Sequence, residues 1–425
     1  MDVVLICGLS FFIFAFILRI PVSFSVGMSA ILYALFSERI PLEALTHRMA
    51  LATDSWPIMA VPFFVLMGIA LNKGKSGRYL MDFANSLVGW VWGGLSSVMI
   101  VTNMFFGGCS GSAVADASSI GGVLIPDMIR RGYGKGFSAA LNAASSTIGI
   151  IIPPSIPMIL YSWVTEASIR QLFLAGLIPG ILVGLAQMVV AAYLGFKRKH
   201  YRAPKPRREV VLAQFRKSLP ALFIPILVLG GILAGIYTTT EAALIGALYV
   251  LAIETFVYRV FGAKEIFGML VESAKVTGVV IFLIATSFIL TYVIVISRIP
   301  AILQANLASF ISNGTMALII ITAILLVTGC FLDLAPSLLI FTPIFYPFAV
   351  KLGVSPIHLG VVITMILGIG LFTPPVGQTL YISALIADTP IEEVSRDILP
   401  FLAAILIVAL IVIFFPPVAL WMTSF

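Results

Sequence analysis

Two apolar stretches, each interrupted by a proline pair, set the architecture predicted for this chain: IGIIIPPS at residues 148–155 and IGLFTPPVG at residues 369–377. A proline cannot donate the helical hydrogen bond to the carbonyl four residues earlier, and its ring clashes with that carbonyl. Each pair therefore predicts a transmembrane helix that is broken near its middle. The carbonyls expected to be freed in this way are those of Gly149, Ile150, Gly370 and Leu371.

The composition around these stretches is that of a membrane protein. Of the 425 residues, 60% are hydrophobic and 10% are charged, and the mean hydropathy is +1.13, whereas a soluble domain keeps about a quarter of its residues charged. Apolar runs that approach the roughly 20 residues of a helical span recur along the chain. The runs are continuous, which excludes the short alternating strands of a β-barrel. The sequence thus predicts an all-α polytopic membrane protein, without a cleavable signal peptide.

The proline pairs belong to an internal repeat. GGCSGSAVAD ends at Asp116 and TGCFLD ends at Asp333, so the aspartates lie 217 residues apart and the proline pairs 221. We predict a first repeat over residues 1–196, a linker over 197–209 and a second repeat over 210–425. Duplicated halves with broken spans at equivalent positions are typical of secondary transporters. The spacing does not decide whether the repeats are parallel or inverted.

The linker accounts for the net charge of the chain. Seven Lys or Arg residues and no acid lie between Lys197 and Arg208, and the net charge of the whole chain is +7. A nucleic-acid-binding patch has a similar composition, but this segment joins two apolar spans. The positive-inside rule therefore predicts a cytoplasmic linker, and Pro204 and Pro206 predict an extended one. No nucleic-acid partner is expected.

A re-entrant hairpin is predicted in each repeat. The segment at residues 107–122 is rich in small residues, which allow backbones to approach closely, and Gly107, Gly108 and Gly111 are expected to interrupt a helix. A tight crossing of two helices is the alternative. The predicted boundaries are residues 107–131 and 329–352 for the hairpins and residues 137–165 and 357–387 for the broken helices.

The breaks predict a cation site. Na⁺ is a hard cation that takes oxygen ligands, which freed carbonyls and nearby hydroxyls supply; Ser145 and Ser146 precede the first break and Thr373 adjoins the second. The alternative is a plain proline kink whose carbonyls are satisfied by neighbouring helices or water. Two breaks at equivalent positions favour the cation site.

Two aspartates are expected within the membrane. Intramembrane acids are rare and functional by default, but Asp116 and Asp333 are equally suited to cap helix N-termini within their hairpins. Of the two, Asp333 is favoured for ion or substrate contact, because fewer polar groups surround it. Thr238 and Glu241 have the spacing of a capping box, which predicts a helix start.

Signals for catalysis are missing from the sequence. It contains no Walker or GxSxG motif, its three histidines lack metal-site spacing, and its three cysteines form no CxxC pair. We expect no enzyme activity, no cofactor and no transition metal, so energy must come from an ion gradient or a partner. Two other hypotheses are a membrane-embedded enzyme, which would need clustered His, Cys or acidic residues, and a passive channel, which would need a continuous polar stripe.

The motifs together resemble a known family. GCSGSAVADASSIGG, SSTIGIIIPPSIPMILY, TTTEAALIGALY, GCFLD and FTPPVG occur in this order, as in the large membrane subunit of tripartite ATP-independent periplasmic (TRAP) transporters. The resemblance implies inverted repeats and an elevator-type transport domain held by a scaffold. It also implies Na⁺-driven uptake of an organic acid across the bacterial inner membrane. The implied partners are a periplasmic substrate-binding protein and a small four-helix membrane subunit, besides membrane lipid.

The resemblance also suggests where ligands bind. We expect Na⁺ near the breaks and the hairpin tips, at Ser110, Gly111, Ser112, Ser145, Ser146, Gly149, Gly329, Asp333, Gly370 and Thr373. Backbone N–H groups at helix N-termini can hold the substrate carboxylate. The expected substrate residues are Ser112, Asp116, Pro153, Pro154, Asp333, Pro374 and Pro375.

Overall fold

The computed structural model describes residues 20–37, 40–54, 58–200, 203–298, 311 and 313–424. Helices and their connections make up these residues, and none of the described residues lies in a β-strand. Five of the described helices are long and apolar enough to cross a bilayer, or six if one bent pair forms a single span. The all-α polytopic prediction is confirmed. The first apolar run, over residues 3–18, lies outside the described residues.

The first repeat supplies nine of the described helices. Their bounds are α1 Val22–Ser37, α2 Leu42–Thr53, α3 Ala60–Lys73, α4 Lys75–Val88, α5 Leu95–Ser110, α6 Ala113–Arg130, α7 Lys135–Ser146, α8 Ile156–Thr165 and α9 Ile169–Lys197. One 3₁₀ turn, Thr147–Ile150, continues α7. The sequence is amphipathic over residues 41–52 and 77–87, and the structure places these two stretches in α2 and α4.

The second repeat follows the same plan. Its helices are α10 Arg208–Leu233, α11 Thr239–Ala252, α12 Ala263–Ile296, α13 Gly314–Gly329, α14 Leu334–Lys351, α15 Pro356–Gly370, α16 Gln378–Ala387, α17 Ile391–Asp397, α18 Leu399–Phe414 and α19 Pro417–Leu420. The capping box at the start of α11 is confirmed, because Thr238 N–H donates to Glu241 at 2.7 Å and Glu241 N–H donates to Thr238 at 3.3 Å.

Both hairpins are longer than the sequence predicts. The first hairpin consists of α5 and α6 and begins at Leu95, and the second consists of α13 and α14 and begins at Gly314. Gly107 and Gly108 lie inside α5 instead of breaking it, because they serve close packing. A Cβ on Gly107 would lie 2.9 Å from the Cα of Gly149. Only Gly111, with a φ of 60°, adopts the left-handed conformation that turns the first hairpin.

The base of the first hairpin lies at the C-terminal end of α9. Tyr133, which follows α6, donates a hydrogen bond to the carbonyl of Gly93 just before α5, at 3.0 Å. Gly93 in turn packs on Gly195, where an added Cβ would lie 2.5 Å from the Cα of Gly93. Gly195 lies in the last turn of α9, a helix of 29 residues and therefore about 43 Å long.

The base of the second hairpin lies at the other end of α9. Gly314, at the start of α13, packs on Val354 just after α14. The next helix begins at Pro356, whose carbonyl accepts a hydrogen bond from Tyr161 at 2.7 Å. Tyr161 is in α8, which ends just before the N-terminus of α9. The two hairpins therefore enter from opposite ends of the spanning helix α9, and the repeats are inverted.

The two repeats exchange the second halves of their broken helices. Helix α8 of the first repeat packs against α14 of the second hairpin, and α16 of the second repeat packs against α6 and α7 of the first. In the outer part, α1 packs against α12 and α3 packs against α11. Each contact in one repeat thus has a counterpart in the other. The hairpins and broken helices form one interlocked unit beside the helices α1–α4 and α10–α12.

Candidate ion and substrate site

Both helices with proline pairs are broken. Helix α7 ends at Ser146, a 3₁₀ turn follows, and α8 starts at Ile156; α15 ends at Gly370, and α16 starts at Gln378. The peptide bond within each proline pair is cis. The prediction of a broken helix in each repeat is confirmed.

Three of the four carbonyls expected to be free accept hydrogen bonds. Ile150 O accepts from the Ser155 hydroxyl at 2.5 Å, Leu371 O from Thr379 N–H at 2.9 Å, and Gly370 O from Thr373 N–H at 3.2 Å. The expectation of bare carbonyls is wrong at these positions. Ser155 and Thr379, which follow the proline pairs, donate to Ile150 O and Leu371 O, and Thr373, which precedes the second pair, donates to Gly370 O within its own turn. A carbonyl oxygen has two lone pairs, so Ile150 O and Gly370 O can still interact with a second group, whereas Leu371 O also lies 2.9 Å from the Thr379 hydroxyl.

Gly149 keeps the fourth carbonyl without a helical donor. The residue four positions later is Pro153, which has no N–H, and Ile152 N–H donates to Ile148 O at 3.0 Å instead. Gly149 also packs on Gly107 of the hairpin. This point of the first break is therefore the best placed to present a peptide oxygen to a ligand.

The tip of the first hairpin contacts the first proline pair. A Cβ on Gly111 would lie 2.9 Å from the carbonyl oxygen of Pro154. Ser112 caps α6 by accepting from Ala115 N–H at 3.4 Å, and Ser112 N–H lies 3.4 Å from the Ser110 hydroxyl. The predicted residues of the tip and of the first proline pair thus come together.

Asp116 lies in the first turn of α6 and is completely buried. Its Oδ2 approaches Gly149 so closely that a Cβ on Gly149 would collide with it. The Ser110 side chain lies close to its carboxylate, but neither carboxylate oxygen accepts a hydrogen bond of normal geometry from a described residue. A buried carboxylate requires a cation or a proton, because an unpaired charge in an apolar interior is very costly. The first site therefore has an acidic oxygen pair that suits a bound cation.

The hydroxyls of Ser145 and Ser146 are engaged within the protein. Ser145 Oγ accepts from the amide of Asn103 at 2.9 Å, and Ser146 Oγ donates to Ala143 O at 3.0 Å. The side-chain oxygens of Asn103 and Asn142 are buried and have no described partner. Sequence reasoning missed both asparagines, although an amide within an apolar helix is itself a signal.

At the second site, two glycines bring the hairpin and the broken helix together. A Cβ on Gly370 would lie 2.6 Å from the carbonyl oxygen of Gly329, and Val376 N–H donates to Cys330 O at 3.2 Å. Gly329, Asp333 and Gly370 line a cavity of about 170 Å³. The Thr373 hydroxyl donates to Ile369 O at 2.6 Å, within its own turn.

Asp333 is the N-cap of α14. Its Oδ1 accepts from Leu334 N–H at 2.7 Å, which is the capping role considered for both aspartates. Asp116, in contrast, lies in the first turn of a helix that Ser112 already caps. The structure therefore gives different roles to two acids for which the sequence allowed the same two roles.

Hydrogen bonds from α16 join the two sites. The Thr379 hydroxyl lies 3.1 Å from Ala143 O and 2.9 Å from Leu371 O. Asn142 donates to the Ser383 hydroxyl at 2.8 Å and to Ala117 O at 2.9 Å. Polar contacts between the repeats thus tie the second half of one broken helix to the first half of the other.

The oxygen atoms at the first break suit a hard cation. Carboxylate, hydroxyl and carbonyl oxygens surround the first break, and hard cations prefer oxygen ligands. The described residues contain no cluster of three or more His, Cys, Asp or Glu side chains that could hold a metal ion. Among the described residues, Asp116 and Gly149 offer oxygen atoms of the kind that a hard cation prefers.

Comparison with known proteins agrees with this geometry. Residues 9–418 match the family described as tripartite ATP-independent periplasmic transporter, DctM component. The chain is 35% identical to the C4-dicarboxylate TRAP transporter large permease protein DctM of Pseudomonas aeruginosa, over 93% of each chain. It is 33% identical to the sialic acid TRAP transporter permease protein SiaT of Haemophilus influenzae, over 94% of this chain and 65% of that longer protein.

The fold also resembles a solved structure. The crystal structure of the YdaH transporter of Alcanivorax borkumensis matches 89% of this chain and 87% of its own, with a TM-score of 0.65 and 14% sequence identity. At this identity the likeness concerns the fold alone.

Proposed function

Because this chain belongs to the DctM family of tripartite ATP-independent periplasmic transporters, we propose that it couples inward Na⁺ flow to the uptake of an organic acid. The chain is a permease component of the inner membrane. The observation that carries the proposal is the repeated contact between a hairpin tip and a proline-broken helix, at Gly107 and Gly149 and at Gly329 and Gly370. Two such junctions in inverted repeats are typical of secondary transporters.

Na⁺ would bind first at the junction that holds Asp116. The carboxylate oxygens of Asp116 are buried and accept no hydrogen bond from a described residue, and they pack against Gly149, whose carbonyl lacks a helical donor. A cation there neutralises the carboxylate and links the hairpin to the broken helix. The second junction offers the carbonyls of Gly329 and Gly370 and the Thr373 hydroxyl as ligands.

The proposed substrate is a carboxylate such as a dicarboxylate or a sialic acid. Helices α6, α8, α14 and α16 all begin at a hairpin tip or a proline break, so their N-termini point positive dipole ends toward the middle of the interlocked unit. Helix N-termini with free N–H groups bind anions without requiring an arginine in the membrane. The P. aeruginosa and H. influenzae relatives are named for C4-dicarboxylate and sialic acid respectively.

We propose that transport is of the elevator type. The moving part would be the interlocked unit of α5–α8 and α13–α16, and the scaffold would consist of α1–α4 and α10–α12. A cavity of about 420 Å³ separates the two parts, between Leu51 and Thr291 on one side and Trp163 and Tyr346 on the other. Such a gap leaves room for one part to slide against the other.

Two partners complete the proposed transporter. A periplasmic substrate-binding protein would deliver the acid, as the tripartite family description suggests. A small membrane subunit is the second proposed partner, as the tripartite family description suggests.

The proposal is tested by reconstituting the chain with both partners in proteoliposomes. Labelled acid should accumulate when Na⁺ is directed inward and should stop accumulating when an ionophore dissipates the Na⁺ gradient. K⁺ in place of Na⁺, at the same membrane potential, is the matched control. Accumulation that is equal in K⁺ and Na⁺ would remove sodium coupling, and uptake that never exceeds equilibrium would indicate a passive channel.

A further inference from the structure

An apolar groove lies between α4 and the start of α10, and none of the junction residues lines it. Its volume is about 570 Å³. Phe83 and Leu87 line it from α4, and Leu212 and Phe215 line it from α10. In each helix these residues are three or four positions apart, so they lie on one helical face. Two apolar helix faces therefore form the walls of one open groove.

Cationic side chains form the rim of this groove. Lys205 and Arg208 both line it, and the Lys205 ammonium lies 5.0 Å from the centre of the Trp90 ring. Neither cation forms an ion pair with a described residue. The rim is therefore a positive charge held beside an apolar surface, with no acidic partner in the described part of the chain.

The groove lies at the level where the chain leaves the membrane. Helix α9 ends at Lys197 and α10 begins at Arg208, and both helices are long and apolar enough to span. Trp90 is 38% exposed there, as expected for an interfacial aromatic anchor. The linker is held at this level by a hydrogen bond from Ala203 N–H to Gly89 O at 3.0 Å.

We propose that this groove, which we call the cationic groove, binds one anionic phospholipid of the surrounding bilayer. An acyl chain would lie against Phe83, Leu87, Leu212 and Phe215, and the phosphate would pair with Lys205 and Arg208. A ligand with an apolar chain and an anionic head matches both parts of the groove, and basic groups at a membrane surface attract anionic lipids. A soluble anion would use the rim but not the walls. The bound lipid fastens the linker between the two repeats to the amphipathic helix α4.

The test compares lipid binding to the full-length chain and to paired variants by native mass spectrometry in detergent. Phosphatidylglycerol and phosphatidylcholine with identical acyl chains are the probes. K205Q/R208Q should weaken phosphatidylglycerol binding by about tenfold and leave phosphatidylcholine binding nearly unchanged. The matched control K197Q/R207Q removes the same charge from exposed linker positions outside the groove and should change binding less than about twofold.

A second pair of variants tests the apolar wall. Leu212 and Leu219 are both in α10 and are 50% and 49% exposed, but only Leu212 lines the groove. L212A should weaken binding of both lipids by about threefold, because part of the contact with the acyl chain is lost. L219A should leave the binding of both lipids unchanged.

Three results would overturn the proposal. Equal losses in K205Q/R208Q and K197Q/R207Q would indicate general surface charge instead of a site. Competition by millimolar inorganic phosphate as effective as by phosphatidylglycerol would assign the rim to a soluble anion. Unchanged lipid binding together with lost copurification of the small membrane subunit would assign the groove to a protein partner.

Discussion

The two hairpins meet their broken helices through paired glycines, but they hold their aspartates differently. In the first repeat, Asp116 is completely buried beside Gly149 and its carboxylate accepts no hydrogen bond from a described residue. In the second repeat, Asp333 is the N-cap of α14 and accepts from Leu334 N–H. The difference follows from the turns, because Ser112 already caps α6 and leaves Asp116 free for another role.

The two repeats therefore share the same backbone junction, but the polar side chains near it have different roles. The close approach of glycines is needed in both repeats to bring hairpin and broken helix together. The acid near each junction is then used once for helix capping and once as a buried charge. We infer that the first junction is the stronger cation site of the two.

The largest expected effect separates the two aspartates. D116N should lower Na⁺-driven uptake by about tenfold or more, because it removes a buried charge that the cation neutralises. D333N should lower uptake by about threefold or less, because Asn is as good an N-cap as Asp. Initial rates of labelled acid uptake in the reconstituted complex measure both. A larger loss in D333N than in D116N would reverse the assignment of the cation site.

The next effect concerns the glycines. G370A should destabilise the protein by about 1–3 kcal/mol, because its Cβ would meet the backbone of Gly329 and overpacking of that kind forces main-chain movement. G149A should cost less, because the obstacle is the side chain of Asp116, which can rotate. Thermal unfolding in detergent gives the two stabilities.

The two glycine variants should also differ in how Na⁺ changes their thermal stability. Wild-type protein and G370A should gain thermal stability on addition of Na⁺, whereas G149A should lose this gain because the carboxylate is displaced. The same measurement in K⁺ is the control. A Na⁺-dependent gain that survives in G149A but not in G370A would move the principal site to the second repeat.

The broken helices and the duplication could be predicted from the sequence because their causes are local. Each proline pair lacks N–H donors wherever it is placed, and the spacing of motifs such as Asp116 and Asp333 is visible without a structure. The run of small residues at 107–122 also indicated a hairpin whose tip carries Ser110, Gly111 and Ser112, and the structure turns at Gly111. What the residues alone left open was the inversion, since it depends on which end of α9 each hairpin base contacts.

Other features escaped because long-range packing decides them. Gly107 was expected to break a helix, but its contact with Gly149 keeps it helical. The carbonyls of Ile150 and Leu371 were expected to be bare, but Ser155 and Thr379 donate to them from beyond the break. The sequence also left open whether Asp116 and Asp333 cap helices. The structure makes Asp333 an N-cap, and its contact with an ion or substrate stays a prediction.

The two breaks provide hydrogen-bond donors to their carbonyls in different ways. Removing these donors should reduce stability, and this effect should be smaller than those above. S155A removes both the cap of α8 and the donor to Ile150 O, at a cost of about 1 kcal/mol. T379V removes a buried hydroxyl that lies between Leu371 O and Ala143 O, at a cost of about 1–2 kcal/mol. The unfolding temperature of T379V should therefore be lower than that of S155A.

A double variant distinguishes the two routes further. The costs of S155A and T379V should add, because the two hydroxyls serve separate breaks and share no partner. T379V combined with S383A should not add, because both side chains attach α16 to α7 through Ala143 and Asn142. Additivity in the second pair and coupling in the first would contradict this division of the contacts.

The smallest effect concerns the hairpin bases, which differ in their titratable groups. The base of the first hairpin contacts His200, whose ring centre lies 4.3 Å from that of Tyr133 and 4.9 Å from that of Phe137, whereas the Gly314–Val354 contact at the second base has no titratable side chain. Burial lowers the pKa of His200, the nearby Arg198 acts in the same direction, and Asp397 opposes them. The unfolded chain therefore binds a proton more readily than the folded chain, and stability is lost as pH falls below about 6.5.

We expect the wild-type unfolding temperature to fall between pH 7.5 and pH 5.5 by more than that of H200F, because the phenyl ring keeps the aromatic contacts but cannot take a proton. H47F is the matched control, since His47 is exposed on α2, a helix outside the base of the first hairpin. Its pH dependence should equal that of the wild type. If H200F and H47F show the same dependence, the acid sensitivity arises elsewhere and the two hairpin bases do not differ in this respect.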